Sequence, residues 1–193
     1  MKLLTRSFYA RDTLTVAKAL LGKLLVRRLG KKLLIGKIVE VEAYKGFEDP
    51  ASHAYKGKTF RNKVMFGRAG HAYIYFTYGN HYLLNVTTEK IGVPGAVLIR
   101  ALEPLAGIET MLKLRGINDT KNLTNGPGKL TKALNVTGEL NGLDLTKGDK
   151  LFICKPKNKE KFERECSRRI GIKVGLDKLW RFYIKDNPYV SRK

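Results

Sequence analysis

Two cysteines in 193 residues, Cys154 and Cys166, are too few and too far apart for the paired ligand spacings of a zinc site, so no metal is expected. In a reducing compartment each reads as a buried free thiol. No stretch approaches the ~20 apolar residues needed to cross a bilayer. The N-terminal MKLLTRSFYAR lacks the apolar core of a secretory signal, which points to the cytoplasm. There is no repeat, no low-complexity tract and no convincing glycine-rich nucleotide-cofactor loop after a strand, which disfavours a base-modifying transferase. Acidic residues are also scarce. Asp plus Glu number 17 against 38 Lys plus Arg, giving a net charge of +21. Such a charge describes partners rather than fold. A membrane surface would call for a long basic amphipathic helix, which is not found, so nucleic acid is the leading partner. A plainer reading, a basic protein with solvated lysines, accounts for the charge alone.

The chain does have the makings of a core: 43% of its residues are hydrophobic, and residues 1–193 read as one domain. Asp12 or Thr13 caps a helix whose Leu14, Ala17, Leu20 and Leu21 share a face. Residues 23–28 and 33–44 read as strands joined near Gly30. Residues 45–65 form a long polar loop, a frequent carrier of function. Residues 71–78 and 81–87 form a hairpin around Gly79-Asn80, and residues 96–102 a further strand carrying Arg100. Pro104 is placed to start a helix with a stripe of Leu105, Ile108 and Leu112. Gly126-Pro127-Gly128-Lys129 turns into a short helix. A basic segment, 155–185, leads into a final strand around Trp180. Strands and helices do not alternate regularly, which favours α+β over a doubly wound sheet.

Two segments concentrate chemistry. In the strand Val39-Glu40-Val41-Glu42-Ala43-Tyr44, the alternation of a strand puts Val39, Val41 and Ala43 on one face and Glu40, Glu42 and Tyr44 on the other. The segment 73–85, YIYFTYGNHYLLN, holds four tyrosines and Asn85. A carboxylate beside an aromatic cluster on a basic protein suits chemistry on a nucleic-acid base. Hydrolysis of an N-glycosidic bond needs a carboxylate that activates water and balances oxocarbenium-like charge, a role for Glu42. Tyr44, His53 and Tyr75 could cage an extruded base. Tyr78, beside the hairpin turn, could act as a wedge in a duplex. The plainer alternatives are salt-bridged carboxylates and core tyrosines.

In order along nearly the whole chain, these segments resemble the alkyladenine (3-methyladenine) DNA glycosylase family. The resemblance rests on Glu40-Val41-Glu42-Ala43-Tyr44, Glu48-Asp49 with His53, Arg61-Asn62, Met65-Phe66, Tyr73-Ile74-Tyr75 with Tyr78-Gly79, Asn85 and Arg100 through Leu105. It continues through Asn125 to Leu130, Arg169-Ile170-Gly171-Ile172, Arg181-Phe182-Tyr183 and Pro188-Tyr189-Val190-Ser191. It implies a single α+β domain with a curved antiparallel sheet, flanking helices and a protruding β-hairpin. It also implies a monofunctional hydrolase without cofactor. Such an enzyme acts as a monomer on double-stranded DNA and removes 3-methyladenine, 7-methylguanine, ethenoadenine or hypoxanthine in base excision repair. On this resemblance Tyr78 replaces the flipped nucleotide, and the lesion lies between Tyr44 and the pair His53 and Tyr75. Glu42 activates water, Arg100 lies near that water, and the main-chain carbonyl of Ile170 helps to hold it. Asn85 crowds the guanine amino group. Tyr189 stands where some relatives have Trp, and a long N-terminal extension found in some relatives is missing.

A rival reading is a non-catalytic RNA- or single-strand-binding protein with the tyrosines as stacking platforms. The acidic strand speaks against it, since Glu40 and Glu42 would repel a phosphate backbone.

Overall fold

A computed structural model describes residues 2–158 and 160–191. Its centre is one long strand. After the short β1 (Lys2–Leu3) and α1 (Arg6–Tyr9) come α2 (Thr13–Leu20), β2 (Leu24–Leu29) and the 13-residue β3 (Lys32–Tyr44). Asp12 caps α2 by accepting a hydrogen bond from the Thr15 N–H at 2.9 Å. The hairpin from β2 to β3 turns at Gly30, whose φ of 58° is the left-handed conformation that glycine adopts without strain.

The chain then builds β4 (Ala72–Thr77), β5 (His81–Thr87), β6 (Ala96–Ala106), α3 (Ile108–Arg115) and α4 (Pro127–Ala133). It ends with β7 (Leu151–Lys155), β8 (Arg164–Ser167) and β9 (Arg181–Ile184). The strand order is β1-β7-β2-β3-β6-β5-β4, all antiparallel. One edge of β3 changes partner along its length. Its first half pairs with β2; Glu40, Val41 and Glu42 pair with β9, which in turn carries β8. Register shifts between β3 and β6 fall at Ile35/Gly36 and on both sides of Glu40, and such bulges increase twist and curl the sheet.

The alternation along β3 decides what goes where. Val39, Val41 and Ala43 join the main core with Val16, Ala17 and Leu20 of α2, Met111 of α3, and Leu130 and Ala133 of α4. The helices therefore cover one face of the sheet. The opposite face carries Glu40 and Glu42, both fully buried. A smaller apolar cluster of Ala54, Met65, Tyr73 and Ala96 supports that second face. The hairpin of β4 and β5 closes through Tyr78, Gly79 and Asn80, with Tyr78 itself at φ 53° and 78% exposed. Positive φ on an aromatic residue is unusual and marks a constrained position. Among the described residues no helix is long and apolar enough to cross a membrane.

The structure corrects several expectations. Pro104 does not open a helix. It lies inside β6, opposite Gly36 and beside a register shift, where a missing N–H is tolerated. The helix begins only after Gly107, Leu105 is exposed, and the buried position of α3 is Met111. Tyr78 belongs to the turn rather than to the strand. β7 lies almost wholly in a stretch to which the sequence reading assigned no element, and β8 lies within the basic segment. Cys154 is buried, but Cys166 is exposed on β8.

Candidate active site

Glu40 and Glu42 lie two residues apart on one strand yet are held in different ways. Glu40 accepts from Arg100 Nε at 2.8 Å, Arg181 Nε at 2.7 Å, the Ser191 N–H at 2.7 Å and Ser191 Oγ at 2.9 Å. Burial alone would raise its pKa, but Arg100, the Ser191 N–H and Arg181 outweigh burial and hold it below the usual carboxylate value. Three of these donors meet Oε1 and one, the Ser191 N–H, meets Oε2, so four donors from three residues converge on one buried carboxylate.

Glu42 receives three donors. The Ile170 N–H lies 2.7 Å from Oε1, Arg100 Nη1 3.1 Å from Oε1, and Tyr44 Oη 2.8 Å from Oε2. Among the described residues Oε2 thus has a single donor and one acceptor position left over. Burial first, and then the neighbouring Glu42 charge, push the Tyr44 phenol far above its ordinary pKa, so it acts as a donor. Arg100 links the two carboxylates, and burial against it is outweighed by Glu42 and Glu40, which raise its pKa.

In front of Glu42 lies a cavity of about 370 Å³, lined among others by Tyr44, His53, Tyr73, Tyr75, Asn85, Arg100 and Ile170. That volume lies in the range of small-molecule pockets. Glu42 is itself fully buried behind the wall, but Tyr44, Arg100 and Ile170, which bond to it, all line the cavity. The His53 and Tyr75 rings meet edge-on with centroids 4.6 Å apart, and His53 Nδ1 and Tyr73 Oη are 2.9 Å apart. Desolvation, then the Arg61 charge, push the His53 imidazole below its ordinary value, which keeps it neutral at pH 7. Asn85 faces Tyr73 across the β4–β5 ladder and donates from Nδ2 to the Tyr73 carbonyl at 3.1 Å. Tyr78 and Gly171 also line the cavity.

The structure thus gathers Glu42, Tyr44, His53, Tyr75, Asn85, Arg100, Ile170 and Tyr78 around one cavity or its back wall. Ile170 reaches Glu42 through its N–H. The sequence reading assigned no task to three further groups. Asp49 and Arg169, both fully buried, form a two-pronged ion pair. The Arg169 guanidinium packs 4.7 Å from the Tyr44 ring centroid, and its Nη1 donates to the Ala43 carbonyl. Arg169 thereby fixes both Tyr44 and the loop that presents Ile170. Ser191 and Arg181 lock Glu40, and Arg61 packs on Tyr75. Their only signal in the sequence was membership of the recurring short motifs.

The chain is similar to known proteins along nearly its whole length. The sequence model of a family described as methylpurine-DNA glycosylase matches residues 7–188. A protein of Carboxydothermus hydrogenoformans is 55% identical over 191 residues, covering 99% of this chain and 100% of that protein. One from Clostridium novyi is 50% identical over 205 residues, covering both chains fully at 100%. One from Methanoculleus marisnigri is 50% identical over 194 residues, covering 98% of this chain and 99% of its own. All three carry the provisional name 3-methyladenine DNA glycosylase.

Proposed function

The chain belongs to the methylpurine-DNA glycosylase family and is a DNA glycosylase, and from that premise we propose that it flips damaged purines from duplex DNA into the cavity and hydrolyses them off with a Glu42-activated water. The observation that carries the reading is the single acceptor position left on Glu42 Oε2 after three donors are satisfied, beside a purine-sized cavity with aromatic walls.

The base stacks between Tyr44 and the pair His53 and Tyr75. A water held on Glu42 is polarised, with Arg100 on the same carboxylate fixing its direction. As the bond from C1′ to the base nitrogen breaks, its electron pair leaves with the base. The water oxygen bonds to C1′ and its proton passes to Glu42. The buried carboxylate also balances the oxocarbenium-like charge that develops on the sugar. A water nucleophile leaves an abasic site and an intact strand, so the enzyme is monofunctional. Extrusion costs a few kcal/mol of stacking and pairing. Tyr78, held at the hairpin tip in a positive-φ conformation, fills the vacated space. The Asn85 amide is fixed to the β4 backbone and crowds the exocyclic amino group of an undamaged guanine. One domain working as a monomer on duplex DNA, in the cytoplasm or on the nucleoid, completes the reading.

The test is excision from duplexes carrying 3-methyladenine, 7-methylguanine, ethenoadenine or hypoxanthine, with alkali cleaving the abasic sites formed. Products should appear for damaged purines and not for undamaged DNA, and strands should stay whole until alkali is added. Failure on all four lesions would overturn the reading.

A further inference from the structure

Two of the tyrosine walls have an arginine behind them. The guanidinium carbon of Arg61 lies 5.0 Å from the Tyr75 ring centroid, and that of Arg169 lies 4.7 Å from the Tyr44 centroid. Neither arginine lines the cavity, whereas both tyrosines do. Each ring therefore stands between a cation and the space a base would occupy. An aromatic ring attracts a cation through its quadrupole, and a ring that already holds one guanidinium offers less to a second cation.

The two arginines differ in one respect. Asp49 neutralises Arg169 through the buried pair. Among the described residues no carboxylate forms an ion pair with Arg61; its Nη2 lies 3.5 Å from the Phe76 carbonyl, and its guanidinium also serves the Tyr73 hydroxyl as a hydrogen-bond partner. Its charge is felt along the wall. After burial, it is the next influence lowering the His53 imidazole, and it opposes the rise that burial causes in the Tyr73 phenol, which still reaches about 12.

We propose that Arg61 sets specificity, biasing the cavity against purines that carry a formal positive charge, such as 7-methylguanine, and toward neutral damaged purines, such as hypoxanthine. This rests on the reading of the cavity as the base pocket. A base stacked on the far side of Tyr75 lies about 3.5 Å beyond the ring. It is then roughly 8.5 Å from the guanidinium, and the repulsion of a cationic base corresponds to about twofold in a water-like dielectric and about thirtyfold in a protein-like one.

The competing role for an exposed arginine on a DNA-binding rim is a phosphate contact, which acts on every lesion alike. The experiment compares single-turnover excision of 7-methylguanine and hypoxanthine in otherwise identical duplexes, corrected for spontaneous loss of the methylated base. The proteins are wild type, Arg61→Gln, Arg61→Lys and Lys58→Gln, the last removing an exposed charge nearby in the sequence. Arg61→Gln should raise the ratio of 7-methylguanine to hypoxanthine rates on the order of tenfold. Arg61→Lys and Lys58→Gln should leave the ratio within about twofold of wild type. If Arg61→Gln slows both lesions equally, Arg61 is a phosphate contact and the proposal is overturned. It is overturned equally if lysine shifts the ratio as much as glutamine. If wild type excises neither lesion, the base-pocket reading and the proposal fall together; if wild type excises both and the ratio stays put, only the proposal falls.

Discussion

Replacing Glu42 by glutamine removes a charge and keeps a shape. The amide oxygen takes the place of Oε1 and still accepts from the Ile170 N–H and Arg100 Nη1. The amide nitrogen takes the place of Oε2, where the Tyr44 hydroxyl turns from donor to acceptor. Arg100 keeps Glu40 as a partner. Weakening two charge-assisted hydrogen bonds should cost about 1–2 kcal/mol of stability, and DNA binding should persist. The open acceptor position is lost, because an NH₂ cannot take a proton from water. Excision should fall by about 10²–10⁴-fold. The same change at Glu40 is a different perturbation. Four donors converge there, so the amide must point its own donors at either the Ser191 N–H or two arginines. Breaking such a buried charge cluster costs about 3–5 kcal/mol. In a chain of this size that lowers the melting temperature by roughly 6–20 °C. The assay pairs thermal unfolding with single-turnover excision for both variants. Glu42→Gln should melt near wild type and scarcely react, whereas Glu40→Gln should melt early. Wild-type excision by Glu42→Gln, or a Glu40→Gln protein as stable as wild type, would refute the division of labour.

Tyr78→Ser should lose most activity on a well-paired lesion and less on one opposite a mismatch, where extrusion is already cheaper; equal deficits in single-turnover assays of both duplexes would rule out the wedge. Asn85→Ala should admit guanine or guanine mismatches more readily, read as new alkali-labile sites. A folding defect without that gain would mean that the bond to the Tyr73 carbonyl is its whole task. Binding to undamaged duplex should weaken steeply with salt, with a log–log slope near −5 if about six phosphates are neutralised, and a slope near zero in a titration would refute electrostatic binding. Burial would raise the Asp144 carboxyl, but Thr146 and Arg6 overcome burial and hold it down at about 2 in the folded protein. Its contribution is present above the unfolded value of about 3.8 and disappears as pH falls toward 2. Asp144→Asn should therefore flatten the acid limb of a stability–pH curve between those values, and an unchanged curve would exclude that role.

Much of the site was legible because a strand has period two. Once residues 33–44 read as a strand, Glu40, Glu42 and Tyr44 had to share the face opposite Val39, Val41 and Ala43, and the core confirms that split. The helix after Gly126 followed from local chemistry in the same way, as did a cap at Asp12 or Thr13, of which the structure uses Asp12. Pro104 misled because an X-Pro step reads as a helix start, while the bulge that accommodates it depends on Gly36, far away in sequence. β8 escaped notice because all but one of its four residues are exposed, so it shows no alternation. Most telling, nothing local separates Glu40 from Glu42. Two of the groups that grip Glu40, Arg181 and Ser191, lie 141 and 151 residues away in the chain.

That separation bears on how the protein reaches its working form. β2 and β3 meet across a tight turn, a cheap closure, and can zip early. The grip on Glu40 closes loops of 141 and 151 residues, which entropy defers until nearer contacts have formed. Until then Glu40 and Glu42 sit beside Arg100 without their distant donors, two like charges competing for one cation. By this argument the floor of the cavity is the last part to be fixed: a collapsed chain that already carries its positive surface still has to bring Arg181 and Ser191 to Glu40.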